Sequence, residues 1–494
     1  MITDARAGGI PVFQRTESIL QTRRHSRHTT ETARILIEHQ LCKGFTPPPR
    51  LREKYKYQTS RRIVSHIPRR FMTSQENPTP VPRGALALVF IVVFIDLLGF
   101  GIVLPLLPIF ADTHVKSVIG PSASPVVSGI ILGLLMSSFS VMQFLFAPGW
   151  GKLSDRVGRR PILLMGLAGS VLFYALFGYA SDLENSALAL TLLFVARIGA
   201  GVAGATISTA QAVIADCTPQ EKRSRGMALI GAAFGIGFTF GPLIGFAALT
   251  LFPNHAGATG YFAAALSFLA FLLGWFRLPE TRLVGAGFQP RKGFSLAGFG
   301  AVLSMKGIGP VILVFFLTTI GFSTFESTLA LMNTDLLHLG KSTNFLLFAY
   351  VGLTLSLANG AYRPLSKRVS ETAFMTLGMV LMGFGVASLG GITWLSRGLW
   401  TADQLLIPMM ISLTVSVVGF AFLTPSAQGL ISRRGDPERQ GEILGVNQGC
   451  SALARILGPI AGLTLYKVDP MLPFIIGGAL VLIMLPVMPK IRRG

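Results

Sequence analysis

From about residue 85 to the C-terminus the chain alternates long apolar runs with short polar connections. Each run holds roughly 20 residues with few or no charges, the length a helix needs to cross a hydrocarbon core of about 30 Å at about 1.5 Å per residue. The runs lack the two-residue alternation of barrel strands, which leaves helices as the spanning elements. Twelve spans are predicted, at roughly 85–110, 126–148, 160–180, 187–214, 224–250, 258–277, 308–334, 343–362, 371–393, 403–430, 441–466 and 470–488. An even number puts both termini on one side of the membrane.

Composition agrees: 51 % of the 494 residues are hydrophobic and 13 % are charged. The net charge of +21 invites a nucleic-acid reading, but its distribution argues against one. Every second loop, beginning with the one after span 2, together with the C-terminus carries twenty-one Lys and Arg, from Lys152, Arg156, Arg159 and Arg160 through to Lys490, Arg492 and Arg493. The opposite loops hold only Lys116, Lys341, Arg397 and Lys467. The positive-inside rule then places both termini and the 6–7 connection in the cytosol of a plasma or inner membrane. The basic charge reports topology, membrane lipid is the surrounding medium, and no nucleic-acid partner is expected.

Cys42, Cys217 and Cys450 have no external partner among them, so no structural disulfide is expected. No histidine lies within a predicted span, and no cysteine–histidine cluster has metal-ligand spacing. Neither a metal nor a cofactor is expected. Residues 1–71 hold 15 Lys or Arg against 5 Asp or Glu, with a PPP run at 47–49 and no apolar stretch able to bury a core. Met72 is read as the start of translation, with a disordered cytosolic tail or a targeting leader as the alternatives.

An internal repeat divides the rest. Gly241-Pro242 and Gly458-Pro459 lie 217 residues apart in similar surroundings, and the preceding loop prolines Pro219 and Pro437 lie 218 apart. The expected fold is all-α and polytopic, with twelve transmembrane helices in two pseudo-symmetric six-helix halves. The segments are a basic, disordered extension at 1–84, an N-terminal half at 85–277, a cytosolic linker at 278–307 and a C-terminal half at 308–494. Paired halves of this kind enclose a site near the midplane in many secondary transporters and rock around it. An enzyme would need a nucleophile–base pair, a metal set or a nucleotide loop. The sequence has no GxxxxGK[ST], HExxH or GxSxG, and the missing Walker sequence also argues against an ATP-driven pump.

Four stretches carry a family resemblance. GKLSDRVGRRPILL at 151–164 resembles the signature loop of the major facilitator superfamily. The stretch 194–216 resembles the helix-4 motif of its drug:proton antiporters, and GAAFGIGFTFGPLIG at 231–245 resembles their helix-5 motif. FIDLLGFGIVLPLLPIF at 94–110 and TPSAQGLISRR at 424–434 are most similar to the tetracycline:proton antiporter group. The resemblance covers about 85–488. Two departures accompany it: the second-half counterpart of the signature, 359–372, lacks the aspartate, and span 8 has no histidine where the bacterial tetracycline exporters carry one.

In the signature, Asp155 and Arg159 lie four apart at the expected start of span 3, where an acid suits the positive helix end and pairs with a base one turn on. Asp216 closes span 4, an end that disfavours an acid unless a cation is near; Arg159 is the obvious cation. The resemblance implies a cytosolic gate made by these three residues, with Gly151 and Gly158 allowing close backbone approach. An ionised group at a helix centre costs about 2.5–3.5 kcal/mol on insertion scales, which makes each one a functional candidate. Asp96 and Arg197 reach similar depths in spans 1 and 4, and Glu326 and Arg455 in spans 7 and 11. They are the proton-coupling candidates, with structural ion pairs as the alternative. A carboxyl that burial and a neighbouring arginine pull in opposite directions can respond to substrate. Gly237, Gly241, Pro242 and Gly245 are the helix-5 packing motif. Gln143, Gln211, Asn359, Asn447 and Gln448 are substrate-contact candidates. The expected protein is a monomeric, non-enzymatic secondary transporter, a proton-coupled exporter of small amphipathic organic compounds. A proton symporter or facilitator for a metabolite such as a sugar or organic anion is the alternative.

Overall fold

The computed structural model describes residues 85–105, 107–120, 122–218, 223–281, 296–398, 400–435 and 439–493, so the predicted extension at 1–84 lies outside the described residues. Among the described residues there are helices and no strands. Ten helices are individually long and apolar enough to cross a membrane: Pro125–Val157, Arg159–Ser181, Ser186–Ile214, Ala258–Arg277, Gly309–Leu337, Lys341–Leu365, Glu371–Leu395, Ala402–Arg434, Glu442–Val468 and Leu472–Arg492. These are spans 2–4 and 6–12. Span 1 is a pair, Ala87–Val103 and Leu107–Ile119, bent by 44°. Span 5 is Arg223–Leu251, whose apolar part is Gly235–Leu251. The helix ends that carry the basic loops form what is called below the basic face, and the opposite ends form the far face.

Four features differ from the sequence expectation. Span 1 was expected to stop near 110 but continues to Ile119 beyond a bend at Pro105, whose ring removes a helix donor. The polar run ADTHVKSVI stays helical because Leu107, Pro108, Ala111, Asp112 and Val115 are buried, a stripe at three- and four-residue spacing. Span 2 was expected to end near 148 but runs to Val157, so Gly151 and Asp155 belong to its last turns and Asp155 does not open span 3. Span 4 is interrupted by a 3-10 turn at Gly204–Thr206. The predicted 278–307 linker contains a short helix, Leu296–Leu303.

The packing repeats with the sequence. Span 1 packs on spans 5 and 6, span 2 on 4, and span 3 on 4 and 6; in the second half span 7 packs on 11 and 12, span 8 on 10, and span 9 on 10 and 12. The halves meet through spans 2 and 11 and through spans 5 and 8, two contacts that the repeat interchanges. In lipid, where apolar surface alone does not drive helices together, small residues at the crossings let backbones approach. A Cβ on Gly241 would lie 2.9 Å from the Gly101 backbone, so the span 1–5 crossing tolerates no side chain there. The repeat-related Gly458 meets Ser323 of span 7, where a Cβ would stand 2.6 Å from the serine Cβ. Pro242 beside Gly241 is buried, Gly237 faces Leu97, and Gly245 faces the Phe345 ring of span 8, so this motif serves both the span 1 and span 8 contacts.

Candidate functional site

At the basic face of the first half, span 2 ends at Val157 and Gly158 turns the chain with φ of 109°. A side chain rarely adopts that φ, and a Cβ there would lie 2.4 Å from Glu280 Oε2. The Glu280 carboxylate occupies that space and accepts the backbone N–H groups of Arg159 at 2.9 Å and Arg160 at 3.1 Å, two donors that a helix start leaves without partners. Arg159 opens span 3 with a nearly buried guanidinium. Its Nη1 pairs with Asp155 Oδ1 at 2.8 Å and donates to Ser154 Oγ at 2.7 Å, while Nε donates to Asp216 Oδ2 at 3.1 Å. One arginine thus joins the ends of spans 2, 3 and 4. A Cβ on Gly151 would lie 3.6 Å from Ser208 of span 4, an ordinary contact. Asp155, Arg159 and Asp216, paired in the sequence by spacing and helix polarity, are in direct contact, and all three belong to the first half. Glu280 escaped the sequence reading because its partners are backbone N–H groups, which no residue type advertises.

The corresponding corner of the second half pairs Glu371, the first residue of span 9, with Arg433 near the end of span 10.

At mid-depth, Arg197 is 2 % exposed. Its Nη2 donates to the Met136 carbonyl at 3.5 Å, its guanidinium lies 4.8 Å from the Phe139 ring centre, and Tyr174 is within electrostatic reach. It is therefore wedged between spans 2 and 3. The Asp96 backbone is helical, and its side chain lies outside the described residues. Gln143 donates to the Gly204 carbonyl at 3.1 Å, and Trp150 and Ser208 make further bonds between span 2 and the broken part of span 4. Gln143 thus satisfies a carbonyl at the break.

In the second half Glu326 and Arg455 sit close enough to interact electrostatically. Glu326 Oε1 is buried with no hydrogen-bond partner among the described residues. Arg455 is exposed although it stands well inside the length of span 11, beside Glu326. One turn before Glu326, Phe322 stacks on Phe420 of span 10 with ring centres 3.9 Å apart. Asn447 is buried, with its Oδ1 lacking a hydrogen-bond partner among the described residues; Gln211, Asn359 and Gln448 are exposed. Among the described residues no group of three His, Cys, Asp or Glu could hold a metal ion.

At the far face the halves are tied by charges. Lys467, in the last turn of span 11, pairs with Asp112 of span 1 at 2.5 Å, and both side chains are about nine-tenths buried, at 11 % and 9 % exposure. Beside it Tyr466 donates to Asp335 of span 7 at 3.1 Å, and Lys341 of span 8 lies 4.6 Å from the Phe110 ring centre. Deeper along the same seam, Ser137 donates to the Ile456 carbonyl at 2.6 Å, and a Cβ on Gly133 would lie 2.5 Å from Ile460 Cα. Lys341 and Lys467 entered the sequence reading only as bases of the opposite loops, and their partners did not stand out.

A helical membrane protein with two repeated halves, intramembrane charges and a seam that ties the halves at one face has the architecture of a secondary transporter. The chain belongs to the Major Facilitator Superfamily, whose family model matches residues 89–459 and 363–491. It is similar to the class C tetracycline resistance protein of Escherichia coli, 31 % identical over 420 residues that cover 83 % of this chain and 97 % of the relative. It is also similar to major facilitator superfamily domain-containing protein 10 of Bos taurus, 27 % identical over 423 residues covering 77 % and 87 %. A solved structure, that of the human organic anion transporter MFSD10, aligns with a TM-score of 0.60 at 25 % identity and covers 83 % of this chain and all of that one. The chain is a transporter and not an enzyme, and its fold is the two-half bundle.

Proposed function

We propose that the protein is a monomeric proton-coupled exporter of small amphipathic organic compounds, working by alternating access, with both termini and the basic face in the cytosol of a plasma or inner membrane. The observation that carries this reading is the Glu326–Arg455 site. A carboxyl within the bundle, with one oxygen buried and no hydrogen-bond partner there, beside an arginine that remains accessible, fits proton carriage better than a static ion pair. The stacked Phe322 and Phe420 add an aromatic surface one turn away, suited to organic rather than sugar-like substrates. The similarity to tetracycline resistance proteins supports efflux. Similarity to an organic anion transporter, together with the accessible Arg455, favours substrates that carry an anionic group. The same arginine supports the second reading, a symporter or facilitator for an organic anion metabolite.

In this reading the Asp112–Lys467 pair and its neighbours close the far face, and the Asp155–Arg159–Asp216 corner serves as the gate on the cytosolic side. Asp96 and Arg197, on spans 1 and 4, serve as the first half's proton-coupling residues in this reading. Proteoliposomes containing a pH-sensitive dye and the full chain test it with tetracycline and with a fluorescent organic anion as probes. Proton movement opposite to substrate, lost in Glu326→Gln while substrate counterflow persists, is the expected result. Movement in the same direction would replace the exporter with a symporter. Substrate flux with no proton movement would leave a facilitator.

A further inference from the structure

A groove of about 410 Å³ lies between spans 3 and 6 near the basic face, on a side of the bundle away from the seam between the halves. Its mouth is formed by Arg160 and its walls by Leu164, Met165, Ala168, Phe271 and Trp275. From Arg160 to Ala168 it follows span 3 for about 12 Å at 1.5 Å per residue, so it runs from the end of the helix into the depth that lipid chains occupy. Trp275 and Met165 are exposed, and the tryptophan stands near the end of its span, where amphipathic rings settle at the head-group level.

The mouth is cationic. Arg160 Nη2 donates to the Trp275 carbonyl at 2.5 Å, which holds the guanidinium across the groove, and Nε is buried with no hydrogen-bond partner among the described residues. A guanidinium presents five N–H donors in a planar fork that matches a phosphate, so the contact to Trp275 leaves donors to spare. Lys152, Arg156 and Arg277 are exposed on the same face. The nearby acid, Glu280, already accepts N–H groups from Arg159, Arg160 and Thr281. An apolar trough about 12 Å long, enough for the upper part of an acyl chain, with a positively charged fork at the head-group end, selects its occupant by chemistry.

We infer that this groove is a binding site for one anionic phospholipid of the leaflet at the basic face, with its phosphate on Arg160 and an acyl chain along Leu164, Ala168 and Phe271. The site lies next to Arg159, so an occupied groove abuts the corner that joins spans 2, 3 and 4.

Trp275 is a built-in reporter. In nanodiscs of phosphatidylcholine doped with a small fraction of brominated phosphatidylglycerol, the fluorescence quenching that disappears in Trp275→Phe belongs to that ring. The proposal expects brominated phosphatidylglycerol to quench it several-fold more strongly than brominated phosphatidylcholine at equal fraction. Arg160→Gln should bring the two lipids to parity, Ala168→Phe should suppress quenching by both, and Arg368→Gln, an exposed base of the second half, should change neither. Equal quenching by the two lipids in the wild type, or a preference that survives Arg160→Gln, overturns the proposal. Native mass spectrometry of the unaltered chain gives a measurement independent of tryptophan: one retained phosphatidylglycerol per protein, lost in Arg160→Gln and kept in Arg368→Gln. Retention that is the same in both variants overturns it as well.

Discussion

The two halves close the same corner with opposite charges. In the first, a base opens span 3 and an acid ends span 4; in the second, an acid opens span 9 and a base ends span 10. Asp216 and Arg433 are 217 residues apart, the same offset that relates Gly241 to Gly458, so they occupy equivalent places in the repeat. A helix carries partial positive charge at its N-terminus and negative charge at its C-terminus, worth about 0.3–1 kcal/mol to a suitable side chain. Glu371 and Arg433 both stand at favoured ends. Arg159 and Asp216 both stand at disfavoured ends, held by each other, by Asp155 and by the Glu280 carboxylate at the span 3 start. The repeat has preserved the place of the contact and reversed its polarity. A corner that is stable only while assembled is suited to opening during a transport cycle, and a corner whose charges suit their own helices is suited to staying put.

The largest contrast expected is between two alanine substitutions. Arg159→Ala leaves Asp155 and Asp216, each about a third exposed, without their shared cation, and should cost about 2–3 kcal/mol in stability, less than the roughly 3–5 kcal/mol of a fully buried pair. Transport should fall tenfold or more if the corner gates the cycle. Arg433 is 68 % exposed, and Arg433→Ala should cost about 0.5 kcal/mol or less and leave transport within about twofold. Thermal unfolding and substrate flux, measured on both variants, check the ranking. Equal losses would break the comparison.

Next in size is a reversal. Glu371→Arg combined with Arg433→Glu keeps an ion pair but gives the second half the polarity of the first, and should cost about 1–2 kcal/mol from the two helix ends. A reversed pair as stable as the original would show that polarity is irrelevant and that exposure alone separates the corners. Glu280→Gln sharpens the same point. It keeps one acceptor near the Arg159 and Arg160 N–H groups but removes the charge that suits the span 3 start, with an expected loss of about 1 kcal/mol. A larger loss would make Glu280, rather than Arg159, the centre of the corner.

The twelve spans were legible because lipid demands continuous apolar helices. The first-half corner was legible because spacing paired Asp155 with Arg159 and the end of span 4 called for a cation beside Asp216. Helix polarity misplaced Asp155, which ends span 2 and does not open span 3. The far-face closure was not. Asp112 and Lys467 are 355 residues apart, and no periodicity links them. Asp112 also lies in a polar stretch that reads as loop until its buried stripe is seen against the other helices. Gln143 reads as a substrate contact because it is polar within a span, but it donates to the Gly204 carbonyl where span 4 turns 3-10, a pairing across 61 residues that no periodicity marks. Whether an exposed residue such as Gln211 or Gln448 faces lipid or cavity is a property of packing and has no counterpart in composition.

The smallest effect comes from a third ion pair, Arg397 with Asp469, which separates exposure from polarity. Asp469 is about as exposed as Asp155 and Asp216, at 30 % against 30 % and 33 %, but it stands just before span 12, at a favoured helix start. It pairs with Arg397 at 2.5 Å and accepts the Met471 N–H at 2.8 Å. The Arg397 hydrogen bond, with the Met471 N–H behind it, holds its carboxyl below the ordinary value of 3.8. The charged form is therefore the one the folded state prefers. Its contribution is fully present above pH 3.8 and is lost as pH falls through the lower folded-state value. Because Arg397 is about half exposed, Arg397→Gln should cost less than about 0.5 kcal/mol at neutral pH, and the gap to wild type should close in strong acid. Melting curves of both proteins from pH 7 downward measure it. A gap that widens as pH falls would contradict the sign. A neutral-pH loss as large as that of Arg159→Ala would mean that neither burial nor helix polarity ranks the ion pairs of this protein.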